Sequence, residues 1–167
     1  MKSTDRLPFR RWADIFRTDR FISVQPLSGY RRTLPEDKGY AIYLAPGATD
    51  EELGQAFLES LARSRFIWPP DEPDFFDADR IVRCYRDWRK DFMRRYRYKT
   101  KREAYKTMDW CRAKRSEGKI SIEPHDRRPK PEEWKWLPPE SKVVIPATTD
   151  ATIAGAALRT AQDRCNA

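Results

Sequence analysis

The sequence is poor in the residues from which most catalytic and metal sites are built. It has one histidine, His125, and three cysteines, Cys84, Cys111 and Cys165. A single histidine excludes a metal site that needs two His ligands, and there is no CxxC pair, GxSxG elbow or glycine-rich phosphate loop. Three distant cysteines are typical of reduced thiols in a cytosol rather than of a disulfide framework. We therefore predict a chain without catalytic residues, metal or cofactor, although an enzyme built on Asp, Glu, Arg and Tyr stays open.

Long apolar runs are missing too. Residues 1–12 contain no apolar segment of the kind found in signal peptides, and nowhere do about 18 apolar residues follow one another. We expect a cytoplasmic protein with neither a signal peptide nor a membrane span. Aromatic residues, in contrast, make up 13% of the 167 residues. They supply enough large apolar side chains for the core of one domain, residues 1–167.

Two segments of the chain carry the same features in the same order. In each, a β-branched run ends at a proline, a second short apolar run follows, and a Thr-Asp pair precedes a helical pattern. The β-branched runs are Ile22–Pro26 and Ile120–Pro124. This order predicts two strand–strand–helix units, at about 20–66 and about 119–165. We expect an α/β (α+β) fold in which both units join one sheet and both helices cover a face of it.

The segment between the units, about 74–118, has a different pattern. It predicts a long helix from Asp77 to about Tyr98, with an apolar face opposite a face of Arg and Lys. A capping-box pattern at Thr100–Glu103 and a glycine at position 118 predict a second helix over this range. We expect Cys111 on the apolar face of that second helix, and Trp110 beside it.

Positive charge is concentrated in these two predicted helices. Between Arg83 and Lys119 there are 15 Lys and Arg against 5 Asp and Glu, a net charge of +10, whereas the rest of the chain carries −2. A solvated helix face is the simplest interpretation. Like charges repel one another along a helix, however, which favours a docking surface for an acidic partner. A protein face, a membrane surface and nucleic acid bound through its phosphates all fit the charge.

Candidate contact residues follow from this charge and from the aromatic side chains. Large aromatics in the proline-rich segment 129–139 suit a partner's pocket, although they also suit a cap on the chain's own core. We therefore predict partner contacts by Arg83, Arg86, Lys90, Arg94, Arg97, Trp110, Trp134 and Trp136. His125 follows the proline that ends a predicted strand, so we expect a hydrogen-bonding loop residue, with an interface or pH-sensing role as the alternative.

The C-terminal part of the sequence resembles a known family. The residues that carry the resemblance are Tyr98–Cys111, Glu117–His125, Trp134, Leu137–Glu140, Val143–Ala147 and Gly155–Leu158. They resemble one family of CdiI immunity proteins of bacterial contact-dependent growth inhibition systems. The resemblance implies a cytoplasmic protein that binds and neutralises the C-terminal toxin domain of a cognate CdiA effector, in many cases a nuclease, and it brings no catalytic residues. The alternative is a nucleic-acid-binding protein that uses the basic central helices.

Overall fold

The computed structural model describes residues 7–37, 41–127 and 130–166. Over these ranges the strands are β1 (Arg11–Arg17), β2 (Ile22–Gly29), β3 (Thr33–Pro35), β4 (Ile42–Leu44), β5 (Asp109–Ser116), β6 (Lys119–Arg127), β7 (Trp134–Trp136) and β8 (Val143–Pro146). The helices are α1 (Asp50–Arg63), α2 (Ala78–Arg95), α3 (Lys101–Tyr105) and α4 (Ala151–Arg164). Within the same ranges, no helix is long and apolar enough to cross a membrane.

The eight described strands form one antiparallel sheet. β1 and β5 pair at its centre. β2 pairs with β1 along one edge, and its other edge is shared by β4 and β3. β6 repeats the arrangement with β5 on one edge and with β8 and β7 on the other. The predicted α+β fold, with both units in one sheet, is therefore confirmed.

Each of the two prolines expected to end a strand lies inside one. Pro26 pairs with Ala13 of β1, and Pro124 pairs with Cys111 of β5, so both strands continue past the proline. On the outer edge, however, the pairing of β2 changes from β4 to β3 around Pro26, and that of β6 changes from β8 to β7 around Pro124. Proline has no backbone N–H. It therefore interrupts hydrogen bonding only with the neighbouring strand toward which that N–H would point.

The two units are related by a pseudo-two-fold axis at the centre of the sheet. The correspondence that aligns Ile22 with Ile120 also aligns Asp14 with Arg112, and these two residues lie opposite one another in the β1–β5 pair. Each unit therefore starts one strand earlier than the sequence predicts, and it contains four strands and a helix rather than two strands and a helix. The extra strands are β1 and β3 in the first unit and β5 and β7 in the second.

The second helix predicted between the units was wrong over most of its length. Only the five residues of α3 are helical, and Asp109–Ser116 forms β5. Along β5 the side chains of Cys111 and Ala113 are buried on one face while Arg112 is on the other, because successive strand residues alternate. Glu117 and Gly118 both have positive φ angles, +53° and +76°, and form the turn to β6. Gly118 thus serves a hairpin turn rather than a helix end.

Helices cover the two faces of the sheet unequally. α1 and α4 pack together on one face, called here the helix-pair face, over a core that includes Ile15, Val24, Cys111 and Ile122. The opposite face, called here the α2 face, carries a second core around Phe16, Phe21 and Phe92. α2 lies over strands of the first unit, with Trp88 against Phe16 and Ile81 against the cluster of Leu34, Ile67 and Phe75. This position of α2 decides which side chains of the α2 face remain accessible.

Candidate functional site

The outer side of α2 is a strongly basic surface. The helix carries seven Lys and Arg against three Asp. Its aromatic side chains face the sheet, with the ring centres of Trp88 and Phe16 4.6 Å apart and those of Phe92 and Phe21 5.2 Å apart, whereas Val82 is exposed. The predicted basic residues of the helix lie on the exposed side: Arg83, Arg86, Lys90 and Arg94. The sequence therefore assigned the two faces of this helix correctly.

Arg97 belongs to the turn after α2 and not to the helix, which is a correction to the predicted helical face. The helix ends at Arg95, and Arg97 has a φ angle of +58°. Its backbone carbonyl accepts a hydrogen bond from the guanidinium of Arg20 at 3.1 Å. The side chain is nevertheless exposed, so the positive charge of Arg97 extends the basic surface past the end of the helix.

A row of side chains crosses the α2 face from strand to strand. In order from β4 to β7 its members are Tyr43, Ser23, Phe16, Trp110, His125 and Trp136, each paired in register with the next. Trp110 and His125 stack with ring centres 3.8 Å apart and 10° between their planes. The side chain of Trp136 ends the row and is 62% exposed. We call this set the aromatic row.

The structure corrects the predicted placement of four aromatic residues on this face. Trp110 is on β5 rather than on a helix, and its indole Nε1 donates a hydrogen bond to Asp14 at 3.0 Å. Trp134 and Trp136, expected in a rigid loop, form β7. His125, expected in a loop, is 1% exposed within β6. Of the three tryptophans, only Trp136 offers most of its side chain to a partner.

His125 is buried as a neutral side chain. Burial lowers its pKa, and the hydrogen bond that its Nδ1 donates to the carbonyl of Trp110, at 3.2 Å, opposes this only in part. Its Nε2 is buried and has no hydrogen-bond partner among the described residues. An imidazole that stacks on Trp110, packs against the tilted ring of Trp136 and lacks a second hydrogen-bond partner among the described residues is suited to packing rather than to proton transfer.

A polar row runs beside the aromatic row, at the pseudo-two-fold axis. Asp14 is 1% exposed and accepts hydrogen bonds from Arg112 Nε at 2.9 Å and Nη2 at 3.0 Å. Gln25 and Glu123 flank this pair on β2 and β6. Burial opposes the charge on Arg112, but the carboxylate of Asp14 outweighs burial and raises the pKa of Arg112. The polar row thus holds one compensated charge pair under the edge of α2.

A cavity of about 540 Å³ opens between α2 and the second unit. The residues that line it are Asp14, Phe16, Tyr85, Trp110, Arg112, Glu132, Glu133 and Trp134. Burial raises the pKa of Tyr85 to about 12, so the phenol is neutral near pH 7. No three His, Cys, Asp or Glu side chains of the described ranges come together in a way that could hold a metal ion. The cavity is therefore a concave aromatic surface with polar groups at its sides, a shape that suits an inserted side chain.

Comparison with known proteins agrees with this architecture. The model of the CDI immunity protein family, CdiI, matches residues 11–165. The chain belongs to the CdiI family. This range begins at the first residue of β1 and ends just after α4, so it spans both pseudo-symmetric units and the helices between them. The resemblance found in the sequence is therefore confirmed.

Individual relatives of this CdiI chain cover nearly its whole length. Immunity protein CdiI-YPIII of Yersinia pseudotuberculosis serotype O:3 (strain YPIII) is 32% identical over 168 residues, which is 92% of this chain and 94% of that protein. A chain of the CdiA-CT/CdiI toxin and immunity complex from Yersinia pseudotuberculosis matches with a TM-score of 0.88 and 31% identity, over 94% of this chain and 98% of that one. The protein of unknown function NMB0488 from Neisseria meningitidis gives a TM-score of 0.87 and 28% identity, over 94% and 96%.

The candidate residues of this CdiI chain divide into two neighbouring groups. The basic group lies along the outer side of α2, and the tryptophans lie on the sheet beside it. Sequence reasoning missed Tyr85 and Asp14 as cavity residues, because their proximity depends on how α2 crosses β1. It also missed Val144, which is 55% exposed on β8 of the same face. The alternation of β8 is a signal that could have revealed it, because Val143 and Ile145 pack into the helix-pair core and Val144 must point the other way.

Proposed function

We propose that this chain binds the C-terminal toxin domain of a cognate CdiA effector in the cytoplasm and holds it inactive, by binding alone and without catalysis. The observation that carries the proposal is the match, over 94% of the chain at a TM-score of 0.88, to a chain solved in a toxin and immunity complex. The toxin domain that we propose is a nuclease. Protection of the producing cell then depends on how tightly and how selectively this chain binds.

The surface proposed for contact is built from the basic side of α2 and the tryptophans beside it. Arg83, Arg86, Lys90, Arg94 and Arg97 are exposed and share one sign of charge, which steers an acidic surface during encounter. Trp136 is the exposed aromatic anchor. Trp110 and Trp134 line the cavity and hold the sheet surface in shape. Tryptophan and arginine are the residues most enriched among those that carry binding energy at protein interfaces.

Direct binding of nucleic acid is the competing function, and the orientation of α2 argues against it. Single-stranded nucleic acid is bound by stacking bases on exposed aromatic rings next to basic groups. The aromatic rings of α2, including Trp88 and Phe92, lie against the sheet on the side away from the basic residues. The basic side of α2 therefore offers phosphate contacts without a stacking surface on the helix itself.

The first experiment measures binding and inhibition with the C-terminal domain of the CdiA effector encoded next to this chain. We expect a stable complex in isothermal titration calorimetry, loss of the toxin domain's nuclease activity in the complex, and protection of growing cells that express both. A toxin domain that stays active in the presence of excess chain would refute the proposed function.

The contribution of α2 is tested by reversing two charges, Arg86→Glu with Lys90→Glu. We expect the double variant to fold, because exposed substitutions of this kind change stability by about 0.5 kcal/mol or less. Association with the toxin domain should become slower, and the difference should grow at low salt. The matched control is Arg31→Glu with Arg32→Glu, which changes net charge equally at two exposed residues outside α2. Equal association rates for the two double variants would contradict a docking role for α2.

The same proteins test the nucleic-acid alternative. Binding driven by phosphate contacts falls steeply as salt is raised, because counterions are released. We expect the chain alone to bind single-stranded and double-stranded oligonucleotides weakly and without selectivity in fluorescence anisotropy. Tight, sequence-selective or structure-selective binding would favour the nucleic-acid function.

A further inference from the structure

The pseudo-two-fold symmetry of the sheet is broken by its coverage. On the α2 face, the first unit is covered by α2, which packs Phe92 on Phe21 and Ile81 on the cluster of Leu34, Ile67 and Phe75. On the same face of the second unit, the short helix α3 reaches β7, where Tyr105 packs on Trp134 with ring centres 5.7 Å apart. The main helix contacts of β6 and β8 come from α4, on the opposite face. On this face, the second unit thus lacks the counterpart of the long helix that packs on the first unit.

The side chains of the second unit on this face form the surface that we call the uncovered half-sheet: Lys114, Ser121, Glu123, Trp136 and Val144. Their orientation follows from strand alternation, because Ile120, Ile122, Val143 and Ile145 all pack on the helix-pair face. Ser121 and Val144 lie opposite one another in the β6–β8 pair. Trp136 lies beside His125, with ring centres 4.3 Å apart.

Two large apolar groups are exposed on this surface, and one of them, Trp136, stands beside the cavity. Trp136 is 62% and Val144 is 55% exposed. Trp110 connects Trp136 to the cavity, since Trp110 lines the cavity wall and the ring centres of the two tryptophans are 6.3 Å apart. An exposed aromatic next to a concave aromatic pocket is the arrangement found at the energetic centre of protein interfaces.

The charges around the uncovered half-sheet favour an acidic occupant. Glu123 is paired with Lys142 at 3.0 Å, and Arg112 with Asp14 at 2.9 Å, so these groups are already compensated. Lys114 is exposed on β5, and α2, whose outer side is basic, contributes Tyr85 to the cavity wall. The buried Nε1–H of Trp134, a residue of the cavity wall, has no acceptor among the described residues. Carboxylates and carbonyl groups are the partners that these donors lack.

We infer that the uncovered half-sheet is the seat of an amphipathic helix of the toxin domain. The helix takes on the second unit the place that α2 takes on the first. It lays apolar residues on Trp136 and Val144, inserts one side chain into the cavity, and turns a carboxylate-bearing edge toward α2 and Lys114. This inference rests on the proposed function, and it names the surface through which that function is carried out.

The experiment compares two exposed aliphatic residues on opposite faces of the sheet. Val144 is 55% exposed on β8, and Ile153 is 56% exposed on α4, which covers the helix-pair face. Val144→Glu should weaken binding of the neighbouring CdiA toxin domain by about thirtyfold or more, the size of effect seen at interface anchors. Ile153→Glu should leave the dissociation constant within about twofold, since it is outside the surface. Trp136→Ala is the second variant, and it should act on the dissociation rate with little dependence on salt.

Folding of each variant is checked by circular dichroism. Hydrogen exchange of the wild-type chain, free and in the complex, gives a readout that needs no substitution. Protection on complex formation should appear in residues 134–136 and 143–146. Unchanged exchange there, or unchanged affinity of Val144→Glu and Trp136→Ala, would overturn the inference while the proposed function stands. Failure of the wild-type chain to bind the toxin domain would refute both, and a stable homodimer that buries Trp136 would assign the surface to a second copy of this chain.

Discussion

The close crossing of α1 and α4 predicts that two glycines cannot be replaced by alanine. A Cβ added to Gly54 would lie 1.6 Å from the carbonyl oxygen of Ala151, and one added to Gly155 would lie 1.8 Å from that of Asp50. Both clashes are with backbone atoms, so no side-chain rotation relieves them. The only response is for the two helices to move apart, by about 2 Å if an ordinary van der Waals distance is to be restored.

Two effects of opposite sign decide the free energy of unfolding of Gly54→Ala. In an isolated helix, alanine is favoured over glycine by about 1 kcal/mol. Separating the helices strains a packed core that includes Leu53, Phe57 and Leu158, and overpacking of this kind costs about 1–3 kcal/mol or more. Because the contacts are backbone to backbone, we expect the packing cost to win, with a net loss of about 2 kcal/mol. For a chain of this size that corresponds to a fall in Tm of about 4–8 °C.

The assay is urea unfolding followed by circular dichroism and tryptophan fluorescence, with two-state behaviour checked by agreement of the two signals. Gly47→Ala is the matched control, because a Cβ there meets nothing within 4 Å. It should change stability by about 0.5 kcal/mol or less. The double variant Gly54→Ala with Gly155→Ala should lose less than the sum of the single losses, since one separation relieves both clashes. A Gly54→Ala protein as stable as the wild type would refute the reasoning.

Three further predictions concern buried groups. Asp14→Ala should cost about 3 kcal/mol in urea unfolding, because Arg112 loses its carboxylate, whereas Asp14→Leu with Arg112→Met should recover most of that loss. Because burial lowers the pKa of His125, the unfolded chain takes up a proton on this residue at a higher pH than the folded chain does. The contribution of His125 to the free energy of unfolding is therefore complete above about pH 6.5 and is lost as the pH falls toward the folded-state pKa. His125→Asn should remove that part of the difference between pH 7.5 and pH 5.5 unfolding curves, and an unchanged difference would contradict the assignment. Cys111 and Cys165 are buried with sulfur atoms 3.7 Å apart, so a thiol reagent should label them only when urea unfolds the chain.

The elements that the sequence predicted well are those whose signals are local. The side chain of Thr49 and that of Glu52 form a complete capping box at the start of α1, and Asp150 caps α4. α2 was predicted because its apolar and basic residues repeat with the period of a helix, which needs no knowledge of the rest of the chain. The repeated order of β-branched runs and helix starts was enough to predict two related units in one sheet.

The elements that the sequence misplaced depend on partners far away in the chain. Residues 104–111 have spacing that fits a helix, but β1 needs a neighbour at the centre of the sheet, and Asp109–Ser116 supplies it as β5. Strand formation is decided by pairing and burial more than by local preference. Pro124 was also misjudged from local sequence. The pairing of β6 with β5 continues past this proline, whereas the pairing of β6 with β8 ends before it, and only the tertiary structure shows which strand lies on which side.

The sequence alone therefore determined the two units, the long basic helix and the family. The tertiary structure decided where that helix lies, and with it which aromatic residues are core and which are exposed. Trp110, Trp134 and Trp136 are equivalent candidates in the sequence, yet only Trp136 is mostly exposed. Trp134 packs against Tyr105 of α3, and Trp110 is stacked between Phe16 and His125. Exposure depends on what covers a residue, and cover comes from elements that are distant in sequence.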